Sequence, residues 1–350
     1  MKSDKAIFYY ANEFASNDGK LKVHFIGNPT FEGKSDGFLL QYGKELYLID
    51  AGEPQTEDTL AYLLALRADL LREHPEYLED ENCKLRLHWL ISHFHTDHVG
   101  VGIRQLMPNP YLSFGDMWLP PDATVHPDYT CPNFDGDESN RPRFAKALEA
   151  LSDSSYTIHD IAFGAEHKTS FSTDTGCAHE MTVTIFPPTR DYGEEQYMQY
   201  YTEHYSKGEK NRQSNPLSAV NNSSNWFLIR LGSRSFLFTG DTMKRSATLS
   251  DEGLDHMLEA YGDEIGTVDV IKFPHHGFVR ENAIPGMLSL DPQYMIVTYP
   301  QSNIAALLAE NFPDATAKVL NAGQQTVVFT CGFDLESGEE LPLTYEIFQN

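Results

Sequence analysis

Short apolar or alternating runs, each closed by a turn signal, set the pattern of the chain. Leu21–Ile26, Gly37–Tyr42 and Glu45–Ile49 read as β-strands, the last ended by Asp50-Ala51-Gly52. Thr59 to Leu71 (TLAYLLALRADLL) carries apolar residues at helical spacing without Gly or Pro, which predicts a helix. Leu85–Ser92 (LRLHWLIS) reads as a buried strand running into a histidine-rich loop. From Val101 to about Glu180 the pattern loosens. Pro108, Pro110, Pro120, Pro121, Pro127 and Pro132 interrupt it, and only Arg143–Leu151 has the look of a short helix. An irregular stretch of that kind within a compact domain is expected to be functional or an insertion. Met181–Phe186 (MTVTIF) is a strand stopped by Pro187-Pro188, and Arg190 to Asn222 is polar and rich in tyrosine. Asn225–Leu231 and Ser235–Thr239 are strands joined by a turn at Gly232-Ser233. Val268–Phe273, Tyr294–Thr298 and Thr326–Thr330 are further strands, with helices at Leu254–Tyr261 and Asn303–Asn311.

Strands cluster early and again late, with helices interspersed. That order suits an α+β fold of two sheets with helices outside. There is no internal repeat, heptad run or low-complexity linker, and residues with metal-ligand chemistry come from both halves. Residues 1–350 therefore read as a single domain with insertions around 101–180 and 190–222.

Composition narrows the functions. At 350 residues with 41% hydrophobic residues, the chain can bury enough apolar surface to offset its conformational entropy. Asp and Glu total 51 against 26 Lys and Arg, giving a net charge of -25 with no basic cluster. Such a surface repels polyphosphate, so long nucleic acid is disfavoured as a partner and a small-molecule substrate is expected. Met1 to Phe14 lacks a basic segment followed by an apolar run, and no stretch of about 18 apolar residues occurs. A soluble, cytoplasmic protein is the expectation. Cys83, Cys131, Cys177 and Cys331 are widely spaced with no C-x-x-C pair, as for ordinary reduced thiols.

The most informative segment is Ile91-Ser92-His93-Phe94-His95-Thr96-Asp97-His98, three histidines and an aspartate directly after a buried strand. All four are metal-ligand types. His93 and His95, two apart on near-extended backbone, project the same way. The next turn can bring Asp97 and His98 around the other side, so that one loop serves two metal ions. Ser235–Thr239 then runs into Gly240-Asp241, placing a carboxylate at a strand end where it could bridge two cations. Val268–Phe273 runs into Pro274-His275-His276-Gly277, placing imidazole at another strand end. The remaining isolated histidines (His24, His74, His88, His126, His159, His167 and His256) suit surface or packing roles.

H-x-H-x-D-H, then a strand ending F-T-G-D, then K-F-P-H-H-G resembles the metallo-β-lactamase superfamily. The strand ending Leu48-Ile49-Asp50-Ala51-Gly52 fits its usual first motif. Asn221-Asn222-Ser223-Ser224 and the His-His-Gly ending are similar to the branch of ComEC-type competence domains and phosphorylcholine esterases. The resemblance implies an αββα four-layer sandwich with two divalent metals at one edge. Zinc is the default, and manganese or iron suit the same ligand types. By analogy His93 and His95 hold the first metal, Asp97, His98 and His276 the second, and Asp241 bridges them together with a hydroxide. Asp50 and Asn222 would orient ligands from behind. The superfamily's final histidine favours His276 over His275, which then faces substrate. Asp97 and His275 are the residues expected to act in catalysis. The superfamily's further first-metal histidine is missing, since Thr182–Phe186 ends in Pro187-Pro188-Thr189. His179 and His204 are nearby but lack the expected setting, which leaves Asn222 or water to complete that metal. The implied activity is metal-dependent hydrolysis of a phosphodiester or phosphate ester. Lactone, thioester or other ester hydrolysis, and a non-catalytic metal-binding regulatory role, are the alternatives.

Overall fold

Strand alternation decides which residues face which layer. The computed structural model describes residues 19–121, 140–190 and 221–349, apart from 30, 57, 80–81, 152–154, 174–176, 244–252 and 279–280. Strands β1 (Lys20–Phe25), β2 (Gly37–Tyr42), β3 (Glu45–Asp50), β4 (Leu85–Leu90), β5 (Leu112–Leu119) and β6 (Thr157–Asp160) lie side by side in that order. Beyond β1 the sheet continues with β14 (Gln325–Phe333) and β15 (Glu340–Gln349). The second sheet contains β7 (Thr169–Ser172), β8 (Thr182–Phe186), β9 (Trp226–Leu231), β10 (Arg234–Phe238), β11 (Val270–Lys272), β12 (Tyr294–Val297) and β13 (Lys318–Asn321), again in sequence order.

On β2, Phe38, Leu40 and Tyr42 point into the space between the sheets and Leu39 points away from it, as a period of two requires. The inter-sheet core joins Val23, Phe25 and Phe38 to Phe227, Ile229 and Phe238. The rings of Phe25 and Phe238 stack across the sheets at 5.5 Å. Outside the first sheet, Leu39, Leu48 and Trp89 pack on Leu63 and Leu66 of α1 (Asp58–Glu73) and on Phe144 of α3 (Asn140–Ala150). Outside the second, Trp226, Leu228 and Leu237 meet Leu254, Met257 and Tyr261 of α4 (Gly253–Ile265), with Ile284 of α5 (Ile284–Leu288) and Ile304 of α6 (Ile304–Asn311). Three apolar layers between four layers of elements make an αββα sandwich, as the sequence resemblance implied.

The segment expected to be irregular, Val101 to Glu180, holds three strands in the described residues. One of them, β5, pairs in parallel with both β4 and β6. Its LSFGDMWL sequence is buried along nearly its whole length, and Pro108, Pro110, Pro120 and Pro121 lie just outside it. Proline density marked the ends of the strand and obscured the strand itself. The tyrosine-rich residues 191–220, with His204, and also His126 and Cys131, lie outside the described residues. No helix among the described residues is long and apolar enough to cross a membrane.

His24 stands on the helix-facing side of β1, 2% exposed, with Nδ1 2.6 Å from the Tyr62 hydroxyl of α1. Burial, helped by the charge of Lys22, lowers its pKa to about 3. The folded state therefore holds it neutral, whereas the unfolded chain binds a proton near pH 6.5. Its contribution to stability is complete above about pH 6.5 and falls as pH drops toward 3, by about 1.4 kcal/mol per pH unit for one proton. Urea unfolding of wild type and His24→Gln at pH 7, 6, 5 and 4 should show the wild type losing stability more steeply. Parallel curves would assign the acid sensitivity elsewhere.

Candidate metal centre

The parallel pairs β3–β4 and β10–β11 bring their C-terminal ends to the same edge of the sandwich. There the chain leaves each strand into a polar turn. β4 gives way to the loop carrying His93 and His95, and Asp97 and His98 occupy the first turn of α2 (Thr96–Val101). The His98 carbonyl accepts from the amides of Ala51 (2.5 Å) and Gly52 (3.1 Å), and the Asp97 carbonyl from that of Asp36 (3.0 Å). Just past α2 the chain runs close over the sheet: a Cβ on Gly102 would come 2.2 Å from the Trp89 ring, so the approach needs glycine.

Asp241 follows Gly240, whose φ is +53° and whose Cβ position would fall 2.6 Å from Ser224. Only glycine fits that turn, which hands the Asp241 amide to Ser224 Oγ at 3.1 Å. After β11 the backbone turns left-handed over three residues, His275 (φ 49°), His276 (φ 61°) and Gly277 (φ 75°). Two non-glycine residues in this region cost on the order of 1–3 kcal/mol each. Backbone bonds hold the turn: the His275 amide donates to Gly240 O at 3.2 Å, and the His276 carbonyl accepts from Thr298 (3.0 Å) and Tyr299 (2.9 Å). The result separates adjacent histidines. The His276 side chain is fully buried, while that of His275 is 15% exposed.

Asp241, itself 1% exposed, is the meeting point. Its Oδ1 lies 3.2 Å from His98 Nε2 and its Oδ2 3.2 Å from His276 Nε2. Both nitrogens approach the carboxylate without hydrogen-bond geometry and remain buried without a hydrogen bond, as does Nε2 of His93. His93, His95 and Asp241 form one group able to hold a metal ion, and Asp36, His98, Asp241 and His276 another. Asp97 Oδ2 lies 3.1 Å from His276 Nε2, and its side chain is 23% exposed. Imidazole nitrogens pointed at a shared carboxylate rather than bonded to it are the arrangement a divalent cation completes.

His93, His98 and His276 are each steadied from the other ring nitrogen. Asp50 Oδ2 is 2.8 Å from His98 Nδ1, and Asp50 also accepts from the Ser92 amide (2.8 Å) and hydroxyl (2.7 Å). His93 Nδ1 lies 3.0 Å from Ser92 Oγ and 3.2 Å from Ser224 Oγ. Asp36 Oδ1 is 2.9 Å from His276 Nδ1 and accepts from Thr298 Oγ1 at 2.5 Å. Its other oxygen contacts the buried Lys272 ammonium. Although Asp36 is close enough to group with His98, Asp241 and His276, its oxygens serve the far side of the His276 ring and Lys272. It orients this histidine, and Asp97 is the carboxylate at the Nε2 side.

The sequence reading missed Asp36 and gave Lys272 no role. Asp36 had no signal, because its partner lies 240 residues away. Lys272 had one: a lysine inside the apolar run V-I-K-F is rarely buried unless paired. Asn222, expected to be an outer residue or substitute ligand, accepts the Met243 amide at 2.8 Å and so fixes the chain just after Asp241. His179 is in neither metal-binding group; its ring stacks on Phe333 at 3.5 Å.

Burial opposes charge on His98, but Asp241 and Asp50 outweigh it and raise its pKa well above the usual value. Against the same opposition from burial, Asp241 and Asp36 raise His276 to about 10. Burial lowers His93 well below its usual range, which keeps it neutral and ready as a ligand. Burial also lowers His275, to about 3. Protons on His98 and His276 and a divalent cation compete for the same carboxylates, so metal uptake releases protons and weakens in acid.

Neither a protein-family model nor a curated protein matches the chain. Solved structures do. The metallo-β-lactamase fold protein YhfI from Bacillus subtilis is 13% identical, with a TM-score of 0.44 over 89% of this chain and 99% of that one. Zn(2+)-bound PqqB from Methylobacterium extorquens is 11% identical, with a TM-score of 0.44 over 87% and 99%. Human tRNase Z, short form, is 13% identical, with a TM-score of 0.37 over 86% and 92%. At these values the likeness gives no residue here a role. The chemistry rests on the geometry.

Asp50 offers a direct check on that geometry. Asp50→Asn keeps the shape but removes the anion behind His98, and metal affinity should fall about 10–100-fold. Competition with a chromophoric chelator measures it; unchanged affinity would remove Asp50 from the centre.

Proposed function

We propose that the chain is a metal-dependent hydrolase of the metallo-β-lactamase kind, acting on a phosphodiester or phosphate ester. The observation that carries this reading is the convergence of His98 and His276 Nε2 on Asp241 at 3.2 Å each, with His93 and His95 grouped on the same carboxylate. In this reading His93, His95 and Asp241 hold one divalent ion, and Asp97, His98, His276 and Asp241 a second. The mix of imidazole and carboxylate suits zinc first, then manganese or iron. Cations held there would lower the pKa of bound water and polarise the oxygen of the scissile group.

The chain's own residues do the rest. Asp50, Asp36 and the Ser92–Ser224 pair fix ring orientation, so that His98, His276 and His93 meet the cations already aligned. His93, His95 and Asp241 would supply three protein ligands to one ion. Asp97 and His275 are the partly exposed members and face substrate. His275, kept neutral by burial, adds no charge of its own there. The His-His-Gly ending keeps the ComEC-type and phosphorylcholine esterase branch as our finer placement, and the net charge of -25 favours a small substrate over long nucleic acid.

The test is metal content and turnover on protein purified without chelators. Two divalent ions per chain and hydrolysis of aryl phosphodiesters in preference to lactones and thioesters are expected. Full metal content without turnover on any of the three would refute hydrolysis and leave a metal-binding regulatory protein.

A further inference from the structure

An anionic substrate approaching this protein meets a strongly negative molecule, so its charged group needs a local positive partner at the mouth of the site. Two lysines lie near Asp241, and they are differently committed. Lys272 is fully buried and already engaged with Asp36, Asp241 and the Gly240 carbonyl. Lys34, on the segment leading into β2, is only half-buried, and among the described residues no carboxylate lies within 4 Å of its ammonium. Lys34 Nζ sits 3.6 Å from the centre of the Phe278 ring and 3.5 Å from His275 Nε2. Phe278 is 53% exposed, one of few large apolar side chains left in solvent among the described residues. Its ring edges are held by His275 at 5.9 Å and Tyr299 at 5.2 Å, both near-perpendicular. An exposed ring braced on two sides, with an ammonium over its face, seats that cation without neutralising it. His275 Nε2, in turn, is 3.8 Å from Asp241 Oδ2. The chain of contacts runs from the carboxylate shared by the two metal groups, through His275, to a cation at the rim.

We infer that Lys34, seated on Phe278 and next to His275, is an anion-binding residue that receives a non-bridging anionic oxygen of the substrate's phosphoryl group. This assignment rests on the proposed hydrolase reading and deepens it, because it predicts selection for an anionic reacting group over a neutral ester. Phe278 is a positioning residue in this arrangement: it touches Lys34 rather than substrate.

The experiment compares two substrates that release the same phenolate on the metal-loaded 350-residue chain: methyl p-nitrophenyl phosphate, a monoanion, and p-nitrophenyl acetate, which is neutral. In Lys34→Met the ratio of kcat/KM for the anionic to the neutral substrate should drop at least about tenfold, mostly through KM, and Lys34→Arg should recover part of it. Phe278→Leu should move the same ratio in the same direction by a few-fold. A ratio unchanged in Lys34→Met overturns the assignment. So does a loss of bound metal in that variant, which would make Lys34 a counter-charge of the carboxylates instead. Calorimetric titration with phenylphosphonate keeps the inference independent of turnover. If the wild type hydrolyses neither substrate, the hydrolase reading fails, yet about tenfold weaker phenylphosphonate binding by Lys34→Met still supports the anion site, and equal binding overturns it. Lys34→Gln, with circular dichroism matched to wild type, serves if the Met variant folds poorly.

Discussion

Asp241→Asn should lower kcat/KM of the proposed hydrolase by about 10³-fold and reduce the bound metal below the two ions per chain proposed for it. The substitution changes no volume, so any effect comes from charge and from the loss of an acceptor. Both carboxylate oxygens are committed: Oδ1 faces His98 Nε2 and Lys272 Nζ, at 3.2 and 3.3 Å, and Oδ2 faces His276 Nε2 at 3.2 Å. An amide must turn its NH2 toward one of these sides. Toward Lys272 it opposes an ammonium; toward His276 it presents hydrogens where a cation would need a lone pair. The anion is also held firmly, since burial works against it but His276, His98 and Lys272 together keep its pKa well below the carboxylate range. Metal analysis alongside steady-state kinetics checks the expectation. A variant that keeps two ions and wild-type turnover would show that Asp241 joins the two groups in space without serving either.

Much of this site was written locally and therefore legible. The H-x-H-x-D-H run places four side chains within one loop and the first turn of α2, and the strand ends at Asp241 and His276 follow from apolar runs that stop at Gly240 and Pro274. Two sheets with helices outside were legible from the order of strands and helices, and the four-layer sandwich was implied by the resemblance of the metal-ligand motifs. What could not be read depends on contacts between distant segments. Asp36 looks like any turn residue before a glycine until folding brings it to Nδ1 of His276. The difference between His275 and His276 lies in left-handed backbone angles and in the amides of Thr298 and Tyr299, which no local pattern encodes. β5 was lost because its ends carry prolines, although its interior is as apolar as its neighbours.

Lys272→Met should destabilise the protein by about 3–5 kcal/mol, because it removes one partner from a buried charge cluster and leaves the others in place. Methionine fills a similar volume and introduces no new polar group, so the loss reports electrostatics rather than packing. Burial alone would lower the lysine's pKa; Asp36 and Asp241 raise it above its usual value instead. A raised folded-state pKa means that the contribution is fully present below about pH 10.5 and is lost only as pH rises through the folded value, so neutral pH reads all of it. Without the ammonium, Asp36 and Asp241 keep only the His276 and His98 rings as neighbouring positive charge, and the Gly240 carbonyl loses the donor it had at 2.8 Å. Urea midpoints at pH 7 measure the change. The double variant Lys272→Met/Asp36→Asn should recover part of the loss, since it removes one of the stranded charges, and the coupling energy between the two positions should reach roughly 1–3 kcal/mol. Divalent metal should also shrink the penalty by neutralising Asp241, so the deficit should be larger with chelator than with zinc present. A Lys272→Met protein within about 1 kcal/mol of wild type in chelator would mean that the carboxylates find protons at little cost. The cluster would then be no store of negative charge waiting for a cation.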